Sequence, residues 1–215
     1  MKSVCPKKRS PSGSTENLML CSKENGAEAA AARGLGQANS SKVPYIASLV
    51  RSYVVDIVFL AETMVSVHSV LHKLSSLSCS DFVGVDSMGL RGGLCVFWFA
   101  PVVVEPLLVS PHVILCQVVE NLVIKHVLCL YGAPQVSDRM TMWSEISDIL
   151  ASYPNVVIVG DFNQVEYLSD KAGGNLDIPG RHDFIQWKLD NGLLDIPFSG
   201  LSFTWTMGEQ LWTPL

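Results

Sequence analysis

The sequence lacks any uninterrupted apolar run of the roughly 20 residues that a membrane helix requires. Val54 to Leu60 is broken by Asp56, Leu94 to Val109 by Glu105 and two prolines, and Val113 to Leu130 by Glu120, Asn121, Lys125 and His126. Buried strands account for such runs better, so no membrane role is expected. The basic N-terminus is not followed by a long apolar stretch either, which argues against a secretory leader. The six cysteines form no C-x-x-C pair, so neither a zinc knuckle nor a thioredoxin-like motif is written here. They read as small buried hydrophobes in a reducing, intracellular compartment. Charge is also scarce, at 16% of residues, and positive charge is misplaced. Residues 1–42 hold seven Lys and Arg against three acidic residues, a balance of +4; residues 43–215 hold eight against seventeen, a balance of −9. A domain that grips a nucleic-acid backbone is usually positive, so the body of this chain carries the wrong sign for unaided backbone binding.

What is present is apolar material. Hydrophobic residues make up 48% of the 215, enough for one sizeable α/β core. Residues 1–41 are rich in Ser, Lys, Asn, Gly and Ala and are read as a low-complexity, mostly disordered tail. Its cluster Lys7-Lys8-Arg9 reads as part of a solvated tail, with a nuclear-import or nucleic-acid patch as the other reading. Order is expected from Lys42. Ile46, Leu49, Val50 and Tyr53 recur at helical spacing, and Val54 to Leu60 reads as a buried strand. Gly92 to Phe99, Val102 to Val109, Val113 to Val119 and Val123 to Tyr131 are β-branched runs with short connections, which predicts consecutive, largely antiparallel strands. Ser137 to Ser152 reads as a helix with a serine N-cap and a face of Met140, Trp143, Ile146, Ile149 and Leu150. Asn155 to Val159 is a short apolar strand. Arg181 to Asn191 is a helix stopped by Gly192, and Ser202 to Trp205 is a last strand. Blocks of strands with helices between them predict two packed sheets covered by helices.

The strand Val156-Val157-Ile158-Val159 runs into Gly160-Asp161-Phe162-Asn163. Alternation puts Asp161 and Asn163 on one side and turns Phe162 into the core. Gly160 allows a close backbone approach. A carboxylate beside an amide suits a phosphoryl site: Asp can bind a hard cation or orient a water, and Asn can donate to a phosphate oxygen. By chemistry alone, the same pattern serves a simple turn equally well.

An apolar strand followed by Gly-Asp-Phe-Asn resembles the hallmark of the endonuclease/exonuclease/phosphatase superfamily. The continuation Gln164-Val165, Ser169-Asp170-Lys171-Ala172-Gly173-Gly174, Asp190-Asn191-Gly192-Leu193-Leu194-Asp195 and Gly200-Leu201-Ser202-Phe203-Thr204-Trp205-Thr206 resembles, in order and spacing, the endonuclease domain of plant-type LINE (non-LTR) retrotransposons. Upstream, Asp56-Ile57-Val58-Phe59-Leu60-Ala61-Glu62-Thr63 is similar to the family strand whose glutamate binds a divalent metal, which makes Glu62 the metal ligand. Gly92-Gly93-Leu94-Cys95-Val96-Phe97-Trp98 looks like its glycine-led strand, and Leu130-Tyr131-Gly132 like the strand whose tyrosine lies near the scissile phosphate. The resemblance implies a two-sheet α/β sandwich over residues 42–215, incomplete at its C-terminal end. It implies Mg²⁺ or Mn²⁺ as cofactor, Glu62 as metal ligand, Asp161, Asn163 and Tyr131 as catalytic residues, and DNA as partner of a monomer.

Two departures bear on activity. The family begins with a strand ending in Trp-Asn-x-Arg-Gly-Leu-Gly. Here Arg33-Gly34-Leu35-Gly36 is present, but Ala31 stands in the asparagine's place and no apolar strand is read before it. The family ends on a Ser-Asp-His motif. The histidines here are His68, His72, His112, His126 and His182, and none follows Ser-Asp. His182 reads as a surface residue at a helix start. The expectation is a remnant of a retrotransposon-type DNA endonuclease, inactive or weakly active. Two alternatives stand beside it: a non-catalytic interaction protein, and a small-molecule or lipid phosphatase of the same superfamily.

Overall fold

A computed structural model of the chain describes residues 2–5, 18–22, 27–30, 42–52, 55–89, 92–120, 122–170 and 177–196. The strands are β1 (Lys2–Cys5), β2 (Leu18–Ser22), β3 (Ala27–Ala30), β4 (Val55–Ala61), β5 (Asp81–Val85), β6 (Leu94–Trp98), β7 (Val103–Val109), β8 (Val113–Glu120), β9 (Val123–Tyr131), β10 (Val156–Asp161) and β11 (Leu193–Asp195). The helices are α1 (Lys42–Ser52), α2 (Val67–Lys73), α3 (Val136–Ser152) and α4 (Arg181–Asp190). One sheet runs β11-β1-β10-β9-β8-β7, parallel from β11 to β9 and antiparallel from β9 to β7. The other runs β3-β2-β4-β6-β5 and is antiparallel throughout.

The period-2 alternation of the strands builds three apolar layers. Ile57, Phe59, Leu94, Val96 and Trp98 of one sheet meet Val104, Ile114, Cys116, Cys129 and Val159 of the other. The opposite residues of the first sheet, Val58, Leu60, Cys95 and Phe97, pack under Ile46 and Val50 of α1 and Val67 and Val70 of α2. On the far side, Leu128, Leu130, Val156 and Ile158 lie under α3 and α4. Strands β4, β6 and β10 therefore bury both faces, which is why they read as continuous apolar runs. Burial pushes the thiols of Cys95 and Cys116 up to about 12, so these cysteines behave as core hydrophobes.

The expected helices and the strands from Val54 to Val159 are found within a residue or two. Other details differ. Residues 1–41 were read as a mostly disordered tail with no apolar strand, yet β1 joins the first sheet between β10 and β11, and β2 and β3 join the second. Strands β5 and β11 and helix α2 were not read from the sequence. In α3 the N-cap is Gln135 and not a serine; Ser137 lies inside the first turn, where its hydroxyl donates to Asp138 at 2.8 Å. Met140 is 55% exposed, and Met142, at 4%, takes its place on the buried face. Gly192 does end α4, with φ +60°, and the His182 side chain is 93% exposed at the helix start. Tyr53, Ala31, Arg33-Gly34-Leu35-Gly36, Lys171-Ala172-Gly173-Gly174 and Ser202 to Trp205 lie outside the described residues. Among the described residues no helix is long and apolar enough to cross a membrane.

Candidate functional site

Parallel pairing sets the site at one end of the sandwich. Strands β9 and β10 run side by side, with Asp161 opposite Tyr131 at their carboxyl ends. The alternation that sends Leu130, Ile158 and Phe162 toward the helices sends Tyr131, Val159 and Asp161 toward the second sheet. Across the gap, β4 ends at Ala61 and is followed directly by Glu62. The Tyr131 hydroxyl donates to Glu62 Oε1, a hydrogen bond that ties the two sheets together at this end. Glu62, Tyr131, Asp161 and Asn163 are 6%, 5%, 2% and 5% exposed. The four residues singled out from the sequence thus lie together, linked through Tyr131.

The backbone at this end is held in unusual conformations. Glu62 has φ +53° and Met64 φ +54°, a left-handed geometry that costs an ordinary side chain about 1–2 kcal/mol. Thr63 and Met64 donate their N–H groups to the carbonyls of Gly93 and Gly92 at 3.2 and 3.1 Å, which locks that turn against the glycine-led segment before β6. Asn163 has φ +52°, a conformation asparagine tolerates better. Its N–H donates to Asp161 Oδ1 at 2.8 Å and its side-chain amide donates to the Gly132 carbonyl, while Gly132 N–H donates to the Asp161 carbonyl at 2.5 Å. These bonds hold both side chains in place. Gly160 has φ +146°, and a Cβ there would collide with the Leu130 carbonyl on the neighbouring strand. The close approach expected of this glycine is met between β10 and β9.

The chain after Asn163 is fastened by residues that sequence reading missed. Arg139, buried on α3, donates to Gln164 Oε1 at 2.6 Å and to the carbonyls of Ala133 and Pro134 at 3.2 and 3.0 Å. Lys188 on α4 donates to Glu166 at 2.5 Å and to Asp195 at 2.7 Å, and Arg181 donates to the Glu166 carbonyl at 2.5 Å. Burial works against the charge on Lys188, but the bonds to Asp195 and Glu166 outweigh it and hold its pKa above the ordinary value. A signal existed. Arg139 is spaced i, i+4 and i+7 from Trp143 and Ile146, and Lys188 is i+4 from Phe184, so each cation sits in a buried helical stripe that demands a polar partner.

The donor chemistry fits a hard cation. Glu62 is a buried carboxylate, and Mg²⁺ commonly binds through one or two carboxylates while keeping several waters. Among the described residues, no group of three or more His, Cys, Asp or Glu side chains converges.

No protein-family model matches the chain, and no curated protein matches it in sequence. Solved structures do. A 3′-5′ exonuclease, NExo, from Neisseria meningitidis superposes with a TM-score of 0.54 at 15% identity, over 70% of this chain and 66% of that one. A structure titled as the 3′ phosphatase NExo from Neisseria, a variant bound to product DNA hairpin, gives 0.53 at 15% identity with the same coverage. The match therefore spans just under two thirds of those neighbours, and at this identity the likeness is one of fold. The order of strands, the two sheets packed face to face and the flanking helices give this chain the two-sheet α/β sandwich of the endonuclease/exonuclease/phosphatase type.

Proposed function

We propose that the chain carries a reduced divalent-metal phosphodiesterase centre, derived from a retrotransposon-type DNA endonuclease and retaining little or no catalysis. The observation that carries this reading is the hydrogen bond from Tyr131 to Glu62, with Asp161 beside Tyr131 at the same end of the sandwich. Glu62 would hold Mg²⁺ or Mn²⁺. When bound, such an ion supplies charge stabilisation at phosphorus and an activated water. Tyr131, by donating to Glu62, orients that carboxylate, and its single hydroxyl proton would turn to a phosphate oxygen only in place of that bond. Asp161 is suited to orienting a water. The Asn163 amide carries two N–H donors, one of them committed to Gly132, and an amide of this kind suits a phosphate oxygen.

The weakness of catalysis follows from what the superfamily pattern asks for and these residues do not offer. In the sequence, Ala31 stands where the superfamily pattern has its asparagine. Removing one charge-stabilising group typically costs about 10²–10³ in rate, and groups that act as a unit do not compensate for one another. DNA is the proposed partner, with binding limited by the acidic body. The Ala31 position also favours a second reading, a non-catalytic interaction protein built on the same fold. The test is supercoiled plasmid incubated with purified full chain and Mg²⁺. The expected result is no nicking above that of the Glu62→Ala variant. Nicking by the wild type that Glu62→Ala abolishes would contradict the loss of catalysis. A panel of small phosphomonoesters run alongside separates the phosphatase alternative, which predicts turnover there and none on plasmid.

A further inference from the structure

The proposed centre gathers two carboxylates, Glu62 and Asp161, at the end where an anionic substrate would approach. The nearest buried cations described above, Arg139 and Lys188, are committed to the segment that follows Asn163. His112 lies at the same end. It immediately precedes β8, and its carbonyl accepts the Tyr131 N–H at 2.8 Å, so it faces Tyr131 across the strand pair. Strand alternation fixes its side. Val113 and Leu115 point toward α3, whereas Ile114 and Cys116 point toward the second sheet, and His112 shares the latter side with Tyr131. The residue is exposed. Its Nδ1 lies 3.2 Å from the Tyr131 carbonyl oxygen. A carbonyl only accepts, so Nδ1 carries a proton in that contact, whichever state the ring is in. The ring is thereby oriented by the backbone of the site tyrosine, and Nε2, on its other side, has no hydrogen-bond partner among the described residues.

We infer that His112 is a substrate-contacting residue that takes a DNA backbone phosphate flanking the one at the centre, through Nε2–H. This rests on the phosphodiesterase reading above. With Nδ1 turned to the Tyr131 carbonyl, Nε2 is the outward atom of the ring, and a proton there is a donor suited to a phosphate oxygen. Among the described residues, the ionisable groups at this end include Tyr131 on β9, Glu62 after β4, Asp86 after β5, whose carboxylate accepts from Val67 N–H, and Asp161 on β10. A contact of this kind would complement a metal ion held at Glu62, because His112 precedes β8 of one sheet and Glu62 follows β4 of the other.

The experiment is fluorescence anisotropy of an end-labelled DNA duplex with the full chain, in Ca²⁺ to permit binding without turnover, across a salt series. Three variants divide the possibilities. His112→Asn keeps an amide N–H where Nδ1–H stood and removes the outward donor. His112→Arg restores a permanent cation. His112→Ala removes both. The expected result is that His112→Asn melts like wild type, binds several-fold more weakly, and shows a salt dependence shallower by about one unit of slope, with His112→Arg restoring both affinity and slope. Equal affinity and equal slope for wild type and His112→Asn would overturn the role of His112 while leaving the centre intact. Wild type that binds no duplex at any salt would overturn the DNA reading itself, and the role of His112 with it.

Discussion

Glu62 sits where a strand has ended and the chain has turned left-handed, at φ +53°. A glutamate in that conformation is held there by its surroundings: the bonds of Thr63 and Met64 to Gly93 and Gly92, and the hydroxyl of Tyr131 on its carboxylate. Gly160 is the counterpart on the opposite sheet. Its φ of +146° is open only to glycine, and Leu130 leaves no room for a Cβ. Gly160→Ala is expected to destabilise the fold by about 1–3 kcal/mol from backbone strain, with the steric clash against β9 adding to it. Urea unfolding followed by tryptophan fluorescence measures this. A Gly160→Ala midpoint equal to wild type would mean that β9 and β10 do not approach as closely as described. These residues were legible because each carries chemistry in a local pattern. Glycine before Asp161 and glutamate after an apolar strand can be read without knowing what packs where.

At the scale of elements, legibility followed length and locality. Strands β6 to β10 declare themselves by β-branched runs, and α3 and α4 by their apolar spacing. Helix α2 has its own signals, a Ser66 side chain accepting from Ser69 N–H and then Val67, Val70 and Leu74, but seven residues are too few for the period to stand out. Strand β1 has four residues, and its partners, β10 and β11, lie more than 150 positions away, so nothing near it in sequence announces the pairing. On α3, Trp143, Ile146, Ile149 and Leu150 are buried as expected and only Met140 gives way, to Met142 two positions on; the two methionines are chemically equivalent, and packing against Ala133, whose N–H lies 3.3 Å from Met142 Sδ, chooses between them. The fastening of α4 to the segment after Asn163 was illegible for a similar reason: the partners of Lys188 are set by tertiary structure. Its raised pKa gives that fastening a pH signature. The contribution of Lys188 to stability is full below its ordinary value of 10.5 and is lost as pH rises through the higher folded value. Thermal unfolding across the alkaline range is expected to show this loss in wild type. Lys188→Met, which leaves Glu166 buried without its cation, should cost about 3–5 kcal/mol at neutral pH and remove that alkaline transition. An unchanged neutral stability in Lys188→Met would show the pair to be dispensable.

For the whole molecule, two sheets bring together what neither holds alone: Glu62 comes from one, Tyr131 and Asp161 from the other. Among the described residues, an apolar cluster fills the space between them and buried Glu62, Asp161 and Asn163 gather at this end, where solvent and ligand can meet the core. The acidic body, −9 over residues 43–215, sets the terms for a polyanionic partner. A divalent ion at Glu62 would offset local repulsion, which ties DNA binding to metal binding. The central claim is that this end binds a hard divalent cation through Glu62, and stabilisation by bound ligand reports it directly. The measurement is the thermal unfolding midpoint of the full chain as Mg²⁺ is titrated, for wild type and for the near-isosteric Glu62→Gln. The midpoint should rise with Mg²⁺ in wild type and stay flat in Glu62→Gln; no rise in wild type, or the same rise in both, would contradict the account.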